Sequence, residues 1–282
     1  MRDSTSLDDE IQQHYTRRDL GEAILSALAA AGTDLANLRA EDLAPVDQLH
    51  IRGREATVEL AQHLGLDATK RVLDVGSGLG GASRYLAQEF GCRVTGLDLT
   101  EEYCRIAQML TDRLGLGSHV VFRQGSALEM PFEDSSFDVV WTQHAAMNIA
   151  DKSRLYTEIS RVLRPGGSLA LYDIVAGPGG TPHFPVPWAR EPSLSFLVEP
   201  EGLRALMEQA GLRVVRWRDT SEAGRVWFQD LAARLATQAG GPLQGIHGLL
   251  WPDFREMGQN QVRNLIEDRI VLIEAIAQRL AA

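Results

Sequence analysis

Four closely spaced glycines follow a short apolar run and form the most chemically informative stretch of the chain. Gly76, Gly78 and Gly81 match the spacing G-x-G-x-x-G, and Gly80 adds a fourth glycine. Glycine adopts backbone angles that a side chain forbids, and it lets a flat ligand lie against bare main chain. Asp98 ends the next apolar run, 22 residues after Gly76. An acid at that distance can bond ribose hydroxyls, so the pattern predicts an adenosine-type ligand with a free ribose.

An acid two residues before Gly76 restricts the chemistry of that ligand. In dinucleotide enzymes the glycine turn accommodates pyrophosphate at a helix N-terminus. The carboxylate of Asp74, fixed at the mouth of the turn, would repel pyrophosphate. It favours a cofactor with an ammonium or sulfonium cation, such as S-adenosylmethionine. The alternative interpretation of Asp74 is a strand-end acid satisfied by nearby backbone amides.

The glycine turn lies within an alternation of strands and helices that begins near residue 70. Short apolar runs predict strands, and helix-period runs between them predict helices. Near-continuous apolar strands separated by helices are typical of a parallel sheet that is covered on both faces. The strands are predicted at Arg71–Val75, Arg93–Asp98, Val120–Arg123, Asp138–Thr142, Ser168–Asp173 and Leu212–Trp217. The helices between them are predicted at 81–90, 102–115, 151–163 and 200–210.

Segments on either side of this alternation complete the predicted organisation. Asp42–His50 reads as an extended connection, and Ile270–Ala277 fits a strand or a helix because periodicity alone does not decide it. Prolines and glycines over 177–190 predict a long irregular insertion, which at the carboxyl end of a sheet is more often a lid than a linker. The predicted parts are an N-terminal helical cap over 1–52, a core over 53–220 with a lid insertion over 177–199, and a C-terminal extension over 221–282 that completes the sheet.

Composition excludes several classes of protein. With 28 basic and 38 acidic residues, the net charge of −10 opposes binding to nucleic-acid backbones or anionic membranes. Two cysteines are too few for a disulfide framework, and no histidine motif indicates a metal. The acidic N-terminus does not resemble a leader, and no apolar run is long enough to span a bilayer. We therefore expect a cytoplasmic protein without nucleic-acid, membrane or metal partners.

Several stretches together resemble the motifs of class I S-adenosylmethionine-dependent methyltransferases. They are Val72–Gly81, Gly96–Asp98, Phe137–Thr142 and Arg161–Gly167. The resemblance implies an α/β fold, a Rossmann-like seven-stranded mostly parallel sheet with helices on both faces. It also implies S-adenosyl-L-methionine as the cofactor and a small-molecule methyl acceptor. A narrower similarity to the sarcosine/dimethylglycine N-methyltransferase group, whose plan phosphoethanolamine N-methyltransferases and ubiquinone-type C-methyltransferases largely share, lies in Asp47–Thr57, Gln143–Ile149 and Asn264–Arg269.

The same resemblance implies which residues hold the cofactor. Ser126 stands where the family usually has an acid, so the backbone amide of Ala127 is the expected partner of the adenine edge. Arg52 also departs from the family pattern; it either pairs with the methionine carboxylate or is a solvated basic residue. The implied contacts are Asp74 for the amino group, Gly76, Ser77, Gly78 and Gly80 for the methionine and ribose, Asp98 for the ribose hydroxyls, Leu99, Ser126 and Ala127 for the adenine, and Gln143 for the sulfonium side.

The acceptor side has two candidate catalytic residues. His144 follows the fourth strand, where it could take a proton from the acceptor; the alternative is a neutral histidine packed against the cofactor. Tyr15 resembles an N-terminal tyrosine that caps the site in this group, and the alternative is a helix-face core residue. Trp188 could offer a cation–π face, or only exclude water. The substrate-binding candidates are His50, Asn148, Phe184 and Trp188, of which Asn148 stands where phosphoethanolamine enzymes carry a catalytic histidine.

The predicted reaction is methyl transfer by in-line displacement without a metal. An amine nitrogen is the preferred acceptor, and C- or O-methylation of a quinone-like or natural-product acceptor is the alternative. An NAD(P)-dependent oxidoreductase with the same glycine turn is a more distant alternative, which Asp74 opposes. A non-catalytic protein that senses the cofactor is a third hypothesis.

Overall fold

The six predicted strands and one further segment form a seven-stranded sheet. A computed structural model describes residues 4–15, 19–237 and 253–280. Its strand order is β3-β2-β1-β4-β5-β7-β6, with β1 to β5 parallel and β7 antiparallel to both of its neighbours. This confirms the Rossmann-like α/β prediction. The strands are β1 Arg71–Val75, β2 Arg93–Asp98, β3 Val120–Gln124, β4 Phe137–Gln143, β5 Leu163–Ala176, β6 Leu212–Asp219 and β7 Ile270–Arg279.

The segment that periodicity left undecided is a strand. Residues Ile270–Ala277 are all buried within β7, which lies between β5 and β6. A strand buried on both faces is apolar at successive positions, so it shows no alternation that would separate it from a buried helix.

Helices cover both faces of this sheet. The helices of the described residues are α1 Ser4–Tyr15, α2 Leu20–Ala30, α3 Ala40–Asp47, α4 Gly53–Ala61, α5 Gly81–Phe90, α6 Glu101–Arg113, α7 Lys152–Val162, α8 Pro200–Gln209, α9 Ser221–Thr237 and α10 Phe254–Ile266. Among the described residues, no helix is both long enough and apolar enough to cross a bilayer.

The extended connection predicted over Asp42–His50 is wrong, because α3 occupies most of it. Pro45 lies inside this helix and suggested a break. Leu43 and Val46 are nevertheless fully buried, so tertiary packing outweighs the local cost of the proline.

The N-terminal helices share a core with the rest of the protein. Leu20, Ile24 and Leu28 of α2 belong to the same buried cluster as Ile106 and Leu110 of α6. Their spacing of four residues places the three α2 side chains on one helix face. This packing fixes α2 against α6, whose first turn follows the end of β2.

Candidate active site

The turn between β1 and α5 requires glycine at two positions. Gly76 and Gly80 have φ values of +72° and +82°, in the left-handed region. A Cβ atom on Gly76 would overlap the side chain of Ala145, and one on Gly80 would overlap the ring of Phe122. The turn is therefore both conformationally special and tightly packed, as the glycine pattern predicted.

The carboxylate of Asp98 is oriented by backbone amides. Its Oδ2 accepts a hydrogen bond of 2.8 Å from the amide of Gly78, and its Oδ1 accepts one of 2.9 Å from Thr100. Burial raises the pKa of Asp98, while these two amides favour the ionised form. Each carboxylate oxygen has a second acceptor direction available. The side chain can accept two further hydrogen bonds from the cavity that it lines.

A cavity of about 680 Å³ lies where β1, β2, β3 and β4 end. Parallel strands present their carboxyl ends at one edge of a sheet, which is where ligands bind in open α/β sheets. Most of the residues singled out in the sequence line it, although they come from distant parts of the chain. They are Tyr15, His50, Gly76, Ser77, Gly78, Asp98, Leu99, Ser126, Ala127, Gln143, His144, Asn148 and Trp188.

Four predicted residues do not belong to the cavity lining: Asp74, Gly80, Arg52 and Phe184. Asp74 is buried at 3% exposure and accepts a 2.6 Å hydrogen bond from the Ser83 hydroxyl of α5. It therefore supports the turn from within and does not stand at its mouth. Burial, opposed by Ser83, raises the pKa of Asp74 to about 7.

Arg52 has a partner away from the cavity. Its Nη2 atom lies 2.6 Å from the carboxylate of Glu59, which also pairs with Arg218. The side chain is only 12% exposed, so Arg52 is not a solvated base. Phe184 is partly buried and packs against the main hydrophobic cluster.

His144 occupies a constrained position directly after β4. Its φ of +48° is unusual for a residue with a side chain. The imidazole stacks on Tyr172, with ring centroids 5.0 Å apart, and its Nε2 is buried without a hydrogen-bond partner. Burial, with a smaller contribution from His50, holds the pKa of His144 well below its usual value. The ring is therefore neutral near pH 7, and its Nε2 is unpartnered in a residue that lines the cavity.

Gln143 is held by a buried polar network. Its Oε1 accepts hydrogen bonds from the Thr57 hydroxyl at 3.1 Å and from the Trp141 indole at 3.0 Å. His50 lies beside it, and the His50 Nε2 is 2.9 Å from the carbonyl oxygen of Gly53. Burial lowers the pKa of His50 to about 4, so it too is neutral near pH 7.

One asparagine joins three separate segments over the cavity. Tyr15 of α1 donates a 3.0 Å hydrogen bond to the Asn148 Oδ1. The Asn148 Nδ2 donates to the carbonyl oxygens of Trp188 at 2.7 Å and Leu194 at 3.0 Å. Asn148 therefore connects α1, the turn after β4 and the insertion 177–199. The sequence showed only that an asparagine stands where phosphoethanolamine enzymes carry a catalytic histidine, and it did not indicate this connecting role.

The insertion 177–199 is attached to α10. Asn264 accepts a hydrogen bond from the His183 amide at 2.7 Å and donates one to the His183 carbonyl at 3.0 Å. Asn260 donates to the carbonyl of Pro185 at 3.0 Å. These bonds bring the C-terminal part of the chain to the site, where Gln261 of α10 also lines the cavity.

Sequence reasoning missed a buried lysine and a buried aspartate that hold the loop carrying His144 through its backbone. Lys152 donates hydrogen bonds to the carbonyls of Ala146 at 2.6 Å and Ile149 at 2.8 Å, and Asp173 accepts one from the Ala146 amide at 3.0 Å. Burial lowers the pKa of Lys152 to about 8 and raises that of Asp173 to about 6. The pair fixes the short turn between β4 and α7.

Comparison with known proteins agrees with the resemblance to methyltransferases seen in the sequence. A family profile described as a methyltransferase domain matches residues 73–171. The chain is 34% identical over 214 residues to a glycine/sarcosine/dimethylglycine N-methyltransferase of Actinopolyspora halophila, covering 76% of this chain and 37% of that protein. It is 32% identical to methyltransferase GfsG of Streptomyces halstedii, covering 65% and 67% of the two chains. A crystal structure of geranyl diphosphate C-methyltransferase from Streptomyces coelicolor superposes with a TM-score of 0.71 at 18% identity, over 98% and 99% of the two chains.

The fold and these relatives define an S-adenosylmethionine-dependent methyltransferase. The chain belongs to the class I family of these enzymes, so the dinucleotide oxidoreductase alternative is wrong. The cofactor is S-adenosyl-L-methionine, as the sequence predicted. The chain spans about a third of the length of the first of these relatives and about two thirds of the second.

The residues present fit this cofactor. Four buried polar atoms of the lining have no partner within the described residues: the Asp47 Oδ1, the Ser77 hydroxyl, the Tyr103 hydroxyl and the His144 Nε2. Buried polar groups are normally hydrogen-bonded, so unpartnered atoms around one cavity indicate a ligand that satisfies them. The acid Asp98 and the bare main chain of Gly76 complete a surface suited to a ribose and a cationic amino-acid tail.

Proposed function

We propose that the protein methylates a small-molecule acceptor, preferably at an amine nitrogen. The observation that carries this proposal is that one cavity is lined both by the glycine turn with Asp98 and by Tyr15, Asn148 and Trp188. Two ligands can therefore lie side by side in it. Because α1 and the insertion 177–199 are bonded together over this space, a compact acceptor fits better than a macromolecule.

The cofactor end is assigned to the residues that follow β1, β2 and β3. We assign the ribose hydroxyls to Asp98, whose orientation by two amides leaves acceptor directions open. Leu99 packs on the adenine, and the amide of Ala127 faces its edge. Gly76 and Gly78 lie against the methionine and ribose. Asp74 supports the turn through Ser83, and a cationic cofactor bound nearby favours the ionised form of this buried carboxyl.

Methyl transfer needs alignment more than acid–base chemistry. When bound, S-adenosylmethionine supplies a methyl group on positively charged sulfur, which is already a good leaving group. The chain therefore contributes mainly by holding the acceptor in line and by excluding water. Trp188, at 1% exposure, closes the site on the side of the insertion.

His144 is better suited to orienting the acceptor than to removing its proton. The depressed pKa makes the neutral imidazole a weak base, but its free Nε2 can accept a hydrogen bond from an acceptor N–H or O–H. Tyr15 donates to Asn148, and burial raises the pKa of its hydroxyl, so it is a poor base and fits a capping role.

Isotope transfer from labelled S-adenosylmethionine to a panel of amines, phenols and enolisable carbon acids tests the proposal. We expect saturable transfer to amines. Transfer confined to oxygen or carbon acceptors would replace the amine assignment, and binding of S-adenosylhomocysteine without any transfer would indicate a cofactor sensor. His144→Ala should lower turnover more than cofactor affinity; equal losses in both would make His144 only a cofactor contact.

A further inference from the structure

The carboxylate and ammonium or guanidinium groups that line the cavity are unequal in number, and the acidic groups predominate. Among the described residues that line it there is no lysine or arginine, whereas four are aspartates: Asp8, Asp47, Asp98 and Asp151. Asp47 is neutralised by the buried guanidinium of Arg84, at 2.7 Å. Asp98 is held by two backbone amides at the end assigned to the ribose. The described lining thus offers negative charge and no side-chain cation to pair with an anionic acceptor in addition to the carboxylate of the cofactor.

The helix α1 contributes one of these aspartates, Asp8, to the cavity lining. Leu7, Asp8, Ile11 and Tyr15 all line the cavity, and they occupy neighbouring turns of the helix. Asp8 is partly buried and has no ion pair or hydrogen bond with any described residue. Burial, with a smaller contribution from Asp9, raises the pKa of Asp8. A carboxylate in this environment gains most from a cationic partner that enters with the ligand.

The remaining lining is aromatic and apolar. Trp188 and Tyr103 are 1% and 4% exposed, and the buried Tyr103 hydroxyl has no partner. Burying a carboxylate or phosphate beside such walls without a cation is unfavourable, because the lost hydration is not replaced. The same walls favour an alkyl or aryl body, and aromatic faces attract an ammonium group.

We infer that the acceptor is an amine with an apolar body and no carboxylate or phosphate, and that it enters as an ammonium paired with Asp8. One ammonium proton passes to the Asp8 carboxylate or to water, and the freed nitrogen lone pair then takes the methyl group as the bond from that carbon to sulfur breaks, which leaves S-adenosylhomocysteine. The inference rests on the proposed methyl transfer to an amine. It separates this chain from the relative named for glycine, sarcosine and dimethylglycine, since those amino acids all carry a carboxylate. Two features disfavour an anionic acceptor. Asp8 repels it, and the described lining has no lysine or arginine to pair with it.

Binding of matched amines to the full chain saturated with S-adenosylhomocysteine tests this inference. The probes are phenethylamine against phenylalanine, N-methylbenzylamine against N-benzylglycine, and ethanolamine against phosphoethanolamine. By calorimetry we expect the amine without the anionic group to bind at least tenfold more tightly in the two aromatic pairs. In the third pair, which lacks an apolar body, we expect weak binding of both members.

Substitution of the acid gives an independent readout. Asp8→Asn should lower phenethylamine affinity about tenfold while leaving S-adenosylhomocysteine affinity unchanged, and Asp9→Asn on the exposed side of α1 is the matched control. Thermal unfolding of both variants establishes that they are folded. The binding of the matched amines to the wild-type protein tests the inference even if a variant does not fold.

Several results would overturn the inference. They are equal or tighter binding of phenylalanine or N-benzylglycine, failure of every aromatic amine to bind, and unchanged amine affinity in Asp8→Asn. Lack of affinity for S-adenosylhomocysteine itself would instead refute the proposed function, so the two failures are distinguishable.

Discussion

The backbone amide of Gly78 donates a 2.8 Å hydrogen bond to the carboxylate of Asp98, which joins the turn after β1 to the acid that ends β2. Parallel pairing sets the two strands side by side, with Asp74 opposite Gly96. The second carboxylate oxygen is held by the amide of Thr100. Because both donors are main-chain groups, the orientation of Asp98 depends on the fold and not on neighbouring side chains.

Asp98→Ala should weaken binding of S-adenosylmethionine and S-adenosylhomocysteine by about 1–3 kcal/mol, the usual cost of leaving hydrogen-bonding groups unpaired. Isothermal calorimetry measures the change, with the exposed acid substitution Glu129→Ala as control. Unchanged affinity in Asp98→Ala would contradict the assignment of this carboxylate to the ribose.

Gly76→Ala should destabilise the protein more than the same change at Gly115. Both glycines have positive φ, +72° and +69°, so both substitutions incur a backbone penalty of about 1–2 kcal/mol. A Cβ on Gly115 meets nothing within 4 Å, whereas a Cβ on Gly76 overlaps Ala145. Urea unfolding of the two variants isolates the packing cost, and equal losses would show that the contact with Ala145 relaxes freely.

The buried His50 should make stability depend on acid pH. Its pKa is about 4 in the folded protein and about 6.5 when unfolded, so the unfolded state takes up the proton first. Stability is therefore unaffected by this group above pH ~6.5 and falls as the pH is lowered from there to ~4, by about 3 kcal/mol in total. His144 has the same sign.

Denaturant unfolding of wild type and His50→Gln at a series of pH values measures this contribution. The wild type should lose stability relative to the variant as the pH falls through that window. His119→Gln, on the surface, is the control and should follow the wild type. Parallel curves for wild type and His50→Gln would show that the pKa of His50 is the same in the folded and unfolded states.

The strands and the glycine turn were predictable because their signals are local. Arg71–Val75 and Arg93–Asp98 have the predicted bounds, since an apolar run of strand length between polar or glycine residues has few other interpretations. The helix at Ala40–Asp47 was not predictable, because Pro45 disfavours a helix locally. The helix is stabilised by tertiary contacts of residues such as the fully buried Leu43, which the local sequence does not show.

The side-chain partners at the site were hard to predict for a similar reason. The sequence places Asp74 two residues before the turn, but only the packing of α5 shows that Ser83 lies over it. Arg52 adopts a left-handed backbone conformation and pairs with Glu59, seven residues later, and no motif indicates either feature. Lys152 binds backbone carbonyls, which have no sequence signature, so its role could not be inferred from residue types.

Tyr15→Phe should impair acceptor binding more than cofactor binding. The change removes the 3.0 Å hydrogen bond to Asn148 that connects α1 to the turn after β4, while the residues assigned to the cofactor remain intact. Loss of one such bond costs about 1 kcal/mol, or roughly a fivefold rise in KM for the acceptor found by isotope transfer. Tyr85→Phe is the control, because Tyr85 lies under Arg54, outside the cavity lining. Steady-state kinetics with calorimetry of S-adenosylhomocysteine separate the two ligands. A variant that loses cofactor affinity and acceptor affinity equally would show that Tyr15 supports the whole cavity and does not cap its acceptor end.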